Sequence, residues 1–367
     1  MIPPDEVRNQ NFLVPTSKGV QKANLKEAKI IENLETKTLE NLTKAYILGD
    51  AESGAILESH NIDTVLPLAS TSKLVAVYVI MDKLADGSLT LDEKVLIDLE
   101  ISRIGGSTLN LKENQEISVK DLLEATLVIS ANDAVTALGK YIAGSNEAFV
   151  EMMQQKCLEL GLTNAHMVNC TGLTNYAIND YNKMTTRELF TLTNSLIKKY
   201  PQVVTMGKID HVTSVDKNGL PIESINTNPI LGIVPQIDGL KTGYTNAAGR
   251  CLVSTGLKTG IPNTSSDLRL VGVTMGSATD WARFVASRRL MSEAFEKYSN
   301  KLVALDSESV GTLEIPDAVP ESVEVYPKNP SSVIYSNDQN ITFHVNYNPP
   351  ELPIEEGATV GTITYYL

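Results

Sequence analysis

Several classes of protein are excluded by what this 367-residue chain has little of. Its three cysteines, Cys157, Cys170 and Cys251, stand singly. They lack the paired spacing of metal knuckles or redox dithiols, and three is too few for a disulfide scaffold. Inert thiols are the expectation, with a Cys157–Cys170 bridge left open. The four histidines, His60, His166, His211 and His344, show neither H-E-x-x-H spacing nor a G-x-S-x-G partner. No metal site and no cofactor is expected, and the histidines read as structural or surface residues. Positive charge is scarce: 31 basic against 44 acidic residues leave a formal charge of −13, with no Lys/Arg cluster. Nucleic acid is a poor partner for such a surface. The longest apolar run, Leu74 to Met81, falls far short of the roughly 20 residues that span a bilayer. The opening MIPPDEVRNQ has no basic segment followed by an apolar one. The expectation is a protein that is either cytoplasmic or read from after a processing point.

What is present suggests two domains, since the length exceeds the usual single domain. Residues 1–40 are polar, with Pro3, Pro4 and Pro15 and then a helix-like stretch from Leu25 to Leu42, and read as a peripheral N-terminal arm. Residues 41–299 mix strands and helices. Strands are expected at 45–50 and 55–59 as an edge hairpin, and again at 249–256 and 268–275. A helix buried on most of its circumference is expected over 71–84, with further helices at 120–130, 133–142, 146–160, 186–199 and 279–297. Residues 300–367 change to short alternating runs broken by proline and Asn/Asp pairs, the texture of a small β-rich domain. The fold class is α/β of the α+β kind: helices packed on an antiparallel sheet, plus a small C-terminal all-β domain.

Three short motifs carry chemistry. In Ser70-Thr-Ser-Lys73 a helix brings the lysine to the serine's face one turn later. A serine hydroxyl needs a base, and lysine serves only when neutral. Bringing a lysine from about 10.4 to near 7 takes on the order of 4.6 kcal/mol of desolvation and neighbouring positive charge. In Ser130-Ala-Asn132, between two helix patterns, a hydroxyl and an amide face one cleft: Ser130 to relay a proton, Asn132 to hold a substrate amide. In Lys241-Thr-Gly243, read as an edge strand, Lys241 supplies a cation and Gly243 lets a peptide lie against the backbone. Thr242 offers a hydroxyl to a carboxylate, and the N–H groups of Ser70 and Tyr244 form an oxyanion hole.

Each motif alone is weak. Ser70 and Lys73 by themselves describe a helix cap beside an exposed lysine, and Ser130 and Asn132 describe capping between helices. The chain even contains a second set in the same order: Ser214-Val-Asp-Lys217, Ser224-Ile-Asn226 and Lys258-Thr-Gly260. Context separates them. Lys217 runs into Asn218-Gly219-Leu-Pro221, a hairpin turn, so Ser214 has no helix to stand on, and Lys258-Thr-Gly260 leads into a polar loop.

On these residues the chain resembles the penicillin-interacting serine enzymes, whose SxxK, SxN and KTG motifs it carries in order. The segments Leu160–Leu173 and Met184–Leu189 look like the connecting region of the D-alanyl-D-alanine carboxypeptidases within that family. His166, inside the first segment, is the histidine with most claim to a role there. Leu68 stands where these enzymes often have proline, and Ser72 where threonine is common. The resemblance implies attack by Ser70 on the penultimate D-alanine of a peptidoglycan stem peptide ending in D-Ala-D-Ala, release of D-alanine, and hydrolysis of the acyl-enzyme. β-Lactam antibiotics would trap the same serine. Lys73 would be the base and Ser130 the relay, with Asn132, Lys241, Thr242, Gly243 and Tyr244 positioning the substrate.

A class A β-lactamase shares the motifs but needs a glutamate for its deacylating water, and Glu159-Leu-Gly-Leu162-Thr163 only approximates that pattern. A non-catalytic cell-wall scaffold would not need Ser70, Lys73, Ser130 and Lys241 all intact. The family also implies a place at the extracytoplasmic face of a bacterial cell membrane, often through a C-terminal amphipathic anchor. No such segment precedes Leu367.

Overall fold

The computed structural model describes residues 12–215, 220–316 and 318–367, with Ser214 described in its backbone only. The proposed turn at Lys217-Asn218-Gly219 and the prolines Pro3 and Pro4 lie outside the described residues. Two compact units result: Met1–Gly256 with Arg269–Ser292, and Leu257–Leu268 with Glu293–Leu367.

In the first unit the N-terminal segment holds more structure than an arm. It begins with a hairpin of β1 (Leu13–Thr16) and β2 (Gly19–Lys22). The helical stretch then divides into α1 (Leu25–Glu35) and α2 (Leu39–Leu42). Asn24 and Glu27 close a capping box at the start of α1, and the helix stops where Thr36, Lys37 and Thr38 offer no apolar side chain to bury. Val14 and Ile31 are fully buried, and Arg288 pairs with Glu35.

Next come β3 (Ala45–Asp50), β4 (Ile56–His60) and β5 (Val65–Pro67), a 3₁₀ turn at Ala69–Ser72, and α3 (Lys73–Ala85). Every residue of α3 from Lys73 to Met81 is buried, which explains a run that is apolar all round. After β6 (Lys94–Leu96) and β7 (Glu116–Ser118), α4 (Val119–Val128), α5 (Asn132–Ala143) and α6 (Asn146–Glu159) pack with α3 around a core that includes Leu74, Leu122, Leu138 and Phe149. The helices expected at 120–130, 133–142 and 146–160 are found within a residue or two of those bounds. Ser118 and Ser145 cap α4 and α6.

The chain continues through β8 (Lys183–Thr185), α7 (Thr186–Lys199), α8 (Gln202–Gly207), β9 (His211–Val215), β10 (Pro221–Ile225), β11 (Ile237–Thr245), β12 (Gly249–Lys258), β13 (Leu268–Ser277) and α9 (Asp280–Lys297). One five-stranded sheet runs in the order β11-β12-β13-β3-β4, with β11/β12, β13/β3 and β3/β4 antiparallel. β4 is one edge and β11 the other. Short ribbons not expected from the sequence pair β5 with β8 and β6 with β7. Three-residue strands carry too little alternation to be read in advance.

The second unit is built of two-stranded antiparallel ribbons. β14 (Tyr298–Ala304) pairs with β17 (Ser331–Ser336), β15 (Gly311–Glu314) with β16 (Ser322–Val325), and β18 (Thr342–Tyr347) with β19 (Gly361–Tyr366). It also takes in the loop after Lys258, whose ammonium donates to the carbonyl of Phe295 at 2.9 Å.

Candidate active site

Ser70 sits in the 3₁₀ turn rather than in the helix, and Lys73 is the first residue of α3. Ala69, just before the serine, has φ = 49°, a conformation that costs a residue with a Cβ and persists only where the surroundings hold it. Gly172 is one of those surroundings. A Cβ there would stand 2.0 Å from the Ala69 carbonyl oxygen and 2.8 Å from the Ser70 nitrogen.

Lys73 is wholly buried. Its Nζ lies 2.9 Å from Ser70 Oγ, 2.7 Å from Asn132 Oδ1 and 2.6 Å from the Thr171 carbonyl oxygen. A neutral amine has two hydrogens and one lone pair. As an ammonium Lys73 donates to all three, and the Ser70 hydroxyl donates to the Thr171 carbonyl at 3.3 Å; in the neutral form Asn132 Oδ1 and the Thr171 carbonyl, which only accept, take both hydrogens and the lone pair faces the Ser70 hydroxyl. Burial lowers the Lys73 pKa to about 7. Desolvation is the first cause, opposed by the charges of Cys170 and Asp133, and the repulsion between the ammonium groups of Lys73 and Lys241 disfavours a proton on either. Lys241, only 1 % exposed, is held well below its ordinary range by burial first, then by the charges of Lys73 and Arg283.

Asn132 opens α5. Its Nδ2 donates to the Gly105 carbonyl at 2.9 Å and its backbone N–H to Ser107 at 2.7 Å. Ser130, in the bend between α4 and α5, has φ = 64°, and its buried Oγ has no hydrogen-bond partner among the described residues. It caps neither helix.

Lys241, Thr242, Gly243 and Tyr244 all lie on β11, the edge strand, as expected. A Cβ on Gly243 would stand 3.0 Å from the Leu68 oxygen and 3.1 Å from the Ser70 nitrogen, so the strand passes directly over the serine turn. Lys241 Nζ donates to the Thr242 carbonyl at 3.1 Å. The Thr242 and Thr227 hydroxyls are 2.6 Å apart. The Tyr244 ring is half exposed under the Arg250 guanidinium, 4.1 Å from its centroid.

Three supports went unread in the sequence. Asp133 is buried, and burial raises its pKa. It accepts backbone N–H bonds from Leu109, Leu111 and Ala134, tying a loop to the start of α5. Asn169 Oδ1 accepts from the nitrogens of Thr171 and Gly172, which aims the Thr171 carbonyl at Lys73. Asn-x-Thr-Gly is turn chemistry, and that was the available signal. Asn182 donates to Ser72 Oγ at 2.8 Å and accepts the Leu68 N–H at its backbone oxygen at 2.9 Å. The serine at 72 thus supplies the hydroxyl a threonine would, and the Leu68 bond is one proline cannot make.

The second motif set does not assemble this way. Ser224 lies within the β10 strand, and Lys258 ends β12 with its ammonium on the Phe295 carbonyl. Cys157, Cys170 and Cys251 are all free and buried, so Cys157 and Cys170 are not bridged. His166 is exposed, with Nε2 at 3.3 Å from Asp180. Glu159 ends α6 on the surface, paired with Lys156. No helix among the described residues is long and apolar enough to cross a membrane.

Helices on an antiparallel sheet, with a serine turn, a buried lysine of lowered pKa and a lysine-bearing edge strand, define the penicillin-interacting class of serine enzymes. Comparison with known proteins narrows this. The profile of peptidase family S11, described as D-alanyl-D-alanine carboxypeptidase, matches residues 32–279. The D-alanyl-D-alanine carboxypeptidase DacF of Bacillus subtilis is 26 % identical over 89 % of this chain and 82 % of its own length. DacC of Escherichia coli, of the same description, is 29 % identical over 88 % and 80 %. Among solved structures, a peptidoglycan synthesis regulatory factor (PBP3) from Streptococcus pneumoniae superposes with a TM-score of 0.71 at 30 % identity, covering 88 % of this chain and 92 % of its own. Penicillin-binding protein D2 of Listeria monocytogenes, bound to ampicillin, superposes at 0.61 with 29 % identity, covering 71 % and 100 %. The chain belongs to the D-alanyl-D-alanine carboxypeptidase family, S11, and is a serine-type peptidase.

Proposed function

We propose that Ser70 is the nucleophile that removes the terminal D-alanine from peptidoglycan stem peptides, with Lys73 as its general base. The lone pair of neutral Lys73 takes the hydroxyl proton as Oγ bonds to the carbonyl carbon of the penultimate D-alanine. The oxyanion collects on the backbone N–H groups of Ser70 and Tyr244. The C–N bond then breaks as Ser130 passes a proton to the leaving amine and recovers one from the Lys73 ammonium. D-alanine leaves; water, deprotonated by Lys73, then attacks the ester carbonyl, the C–Oγ bond breaks as the Lys73 ammonium returns that proton to Ser70 Oγ, and the shortened peptide leaves. Asn132 holds the substrate amide, while Lys241 and Thr242 face the terminal carboxylate and Gly243 lets the peptide lie along β11.

The observation that carries this reading is the three-way placement of the Lys73 amine between Asn132 Oδ1, the Thr171 carbonyl and Ser70 Oγ. The orphaned Ser130 hydroxyl supports its part, since a buried polar group without a partner in the free protein is available to a reacting one. β-Lactams, whose strained amide presents the same carbonyl, acylate Ser70. The reaction belongs to residues 41–299, with 300–367 accessory to it, at the extracytoplasmic face of a bacterial membrane to which a segment outside this chain would anchor it peripherally.

The test is mass spectrometry of the protein after labelled penicillin. The adduct is expected on Ser70, absent from Ser70→Ala, together with release of D-alanine from a peptide ending in D-Ala-D-Ala. Rapid turnover of the penicillin would indicate a β-lactamase instead, and absence of any adduct a non-catalytic scaffold.

A further inference from the structure

Ala69 keeps its left-handed backbone because its neighbours hold it there, and Gly172 restrains it only by close approach. The polar restraint converges on Asn182. This residue stands just before β8, whose pairing with β5 sets it beside the serine turn, and its side chain is fully buried. Its Oδ1 accepts the N–H groups of Val168 at 2.7 Å and Asn169 at 3.2 Å. A backbone N–H only donates, so these two bonds settle which end of the amide is oxygen. The Nδ2 end is thereby committed to Ser72 Oγ and the Asn169 carbonyl, both at 2.8 Å. Every donor and acceptor position of the amide is used.

Each end then sets the geometry of a reacting group. Ser72 cannot give its hydrogen to an amide nitrogen that is itself donating, so its hydroxyl donates to the Ala69 carbonyl at 2.9 Å. That carbonyl and the Ser70 N–H belong to one planar peptide unit. Fixing the oxygen therefore aims the N–H, which the proposed function, on which this inference rests, puts in the oxyanion hole. From its other end the amide holds the backbone of Asn169, whose own Oδ1 accepts from the nitrogens of Thr171 and Gly172. The carbonyl aimed by that turn, Thr171, lies 2.6 Å from Lys73 Nζ.

We infer that Asn182 is a positioning residue for acylation: through Ser72 it orients the Ser70 N–H toward the developing oxyanion, and through Asn169 it holds the Thr171 carbonyl against Lys73. Two segments far apart in the chain carry these groups, and one buried amide keeps them in register. Substrate binding is left to other residues, since among the described residues neither Asn182 nor Ser72 hydrogen-bonds to β11.

The test measures, on the full chain, acylation by labelled penicillin together with kcat and KM on a peptide ending in D-Ala-D-Ala. Rates are taken per penicillin-titrated site and below the melting transition of every variant. Ser72→Ala removes only the link to the Ala69 peptide and is expected to lose about tenfold in acylation and kcat, the worth of one hydrogen bond, with KM unchanged. Ser72→Thr keeps the hydroxyl and should retain the wild-type rate. Asn182→Ala frees both turns and should lose about 100-fold, and adding Ser72→Ala to it should cost little more, because the link is already broken. If Asn182→Ala does not fold, the two Ser72 variants decide the matter. A wild-type rate in Ser72→Ala, a rise in KM in place of a fall in kcat, or losses that multiply in the double variant overturn the inference. A wild type that forms no adduct on Ser70 would instead overturn the mechanism on which the inference stands.

Discussion

Gly172 and Ala69 meet backbone to backbone, so closely that a Cβ on the glycine would stand 2.0 Å from the alanine's carbonyl oxygen. Gly172 also has φ = 82°, which a residue with a side chain adopts at a cost. Gly172→Ala should therefore push the serine turn away from Lys73. The expected result is a loss of penicillin acylation of about 100-fold or more, with destabilisation of roughly 1–3 kcal/mol, read from acylation kinetics and thermal melts of the same preparation.

Gly243→Ala makes a graded version of the same intrusion. The new Cβ meets the Leu68 oxygen at 3.0 Å and the Ser70 nitrogen at 3.1 Å, contacts that a few tenths of an ångström would relieve. Acylation should fall about 10-fold while the melting temperature changes little, because the strand sits at the sheet edge and can shift outward. A melting temperature that drops as far as in Gly172→Ala would show that β11 is not free to give way.

The buried Lys73 amine makes two pH predictions. Acylation needs its neutral form, so the rate should rise with pH through about 7 and level off above. Stability follows by linkage. With the folded pKa below the ordinary lysine value of 10.5, the unfolded chain binds more protons between the two, so this group's contribution to stability rises with pH from about 7 to about 10.5. Lys73→Met removes that titration. Plotted against pH, the difference in melting temperature between wild type and Lys73→Met should move in the wild type's favour across that window, and a flat difference would show that Lys73 titrates normally.

Asp133 accepts the backbone N–H groups of Leu109, Leu111 and Ala134. Asp133→Ala orphans them, and a loss of about 2–4 kcal/mol in urea unfolding is expected. Since the next residue back is Asn132, acylation should fall as well. Restoration of stability but not of rate by Asp133→Asn would separate the structural part from the electrostatic one.

Lys258 provides a control for motif recognition. It opens a Lys-Thr-Gly sequence identical to that at Lys241, yet its ammonium is spent on the Phe295 carbonyl. Lys258→Met should leave the acylation rate of Ser70 unchanged and lower stability by about 1 kcal/mol, measured on one preparation by both assays.

Much of this protein was determined by its sequence alone. The all-round apolar stretch from Leu74 to Met81 fixed a buried helix, because no face of it could be left in water. The order and context of Ser70, Lys73, Ser130, Asn132 and Lys241 set these motifs apart from their repeats, because of Ser70 and Ser214 only Ser70 leads into a helix that carries a lysine to it. The tertiary structure decided what local pattern cannot encode. Burial is the main cause of the lowered Lys73 pKa, and it is a property of everything packed around the lysine. The serine turn is clamped by Gly172, 102 residues further along, and Asp133 and Asn169 act through backbone groups that leave little trace in residue type. The division of the stretch from Leu25 to Leu42 into two helices, and the three-residue ribbons, likewise depended on packing partners distant in the chain, where tertiary contact outweighs the weak preference of a short segment.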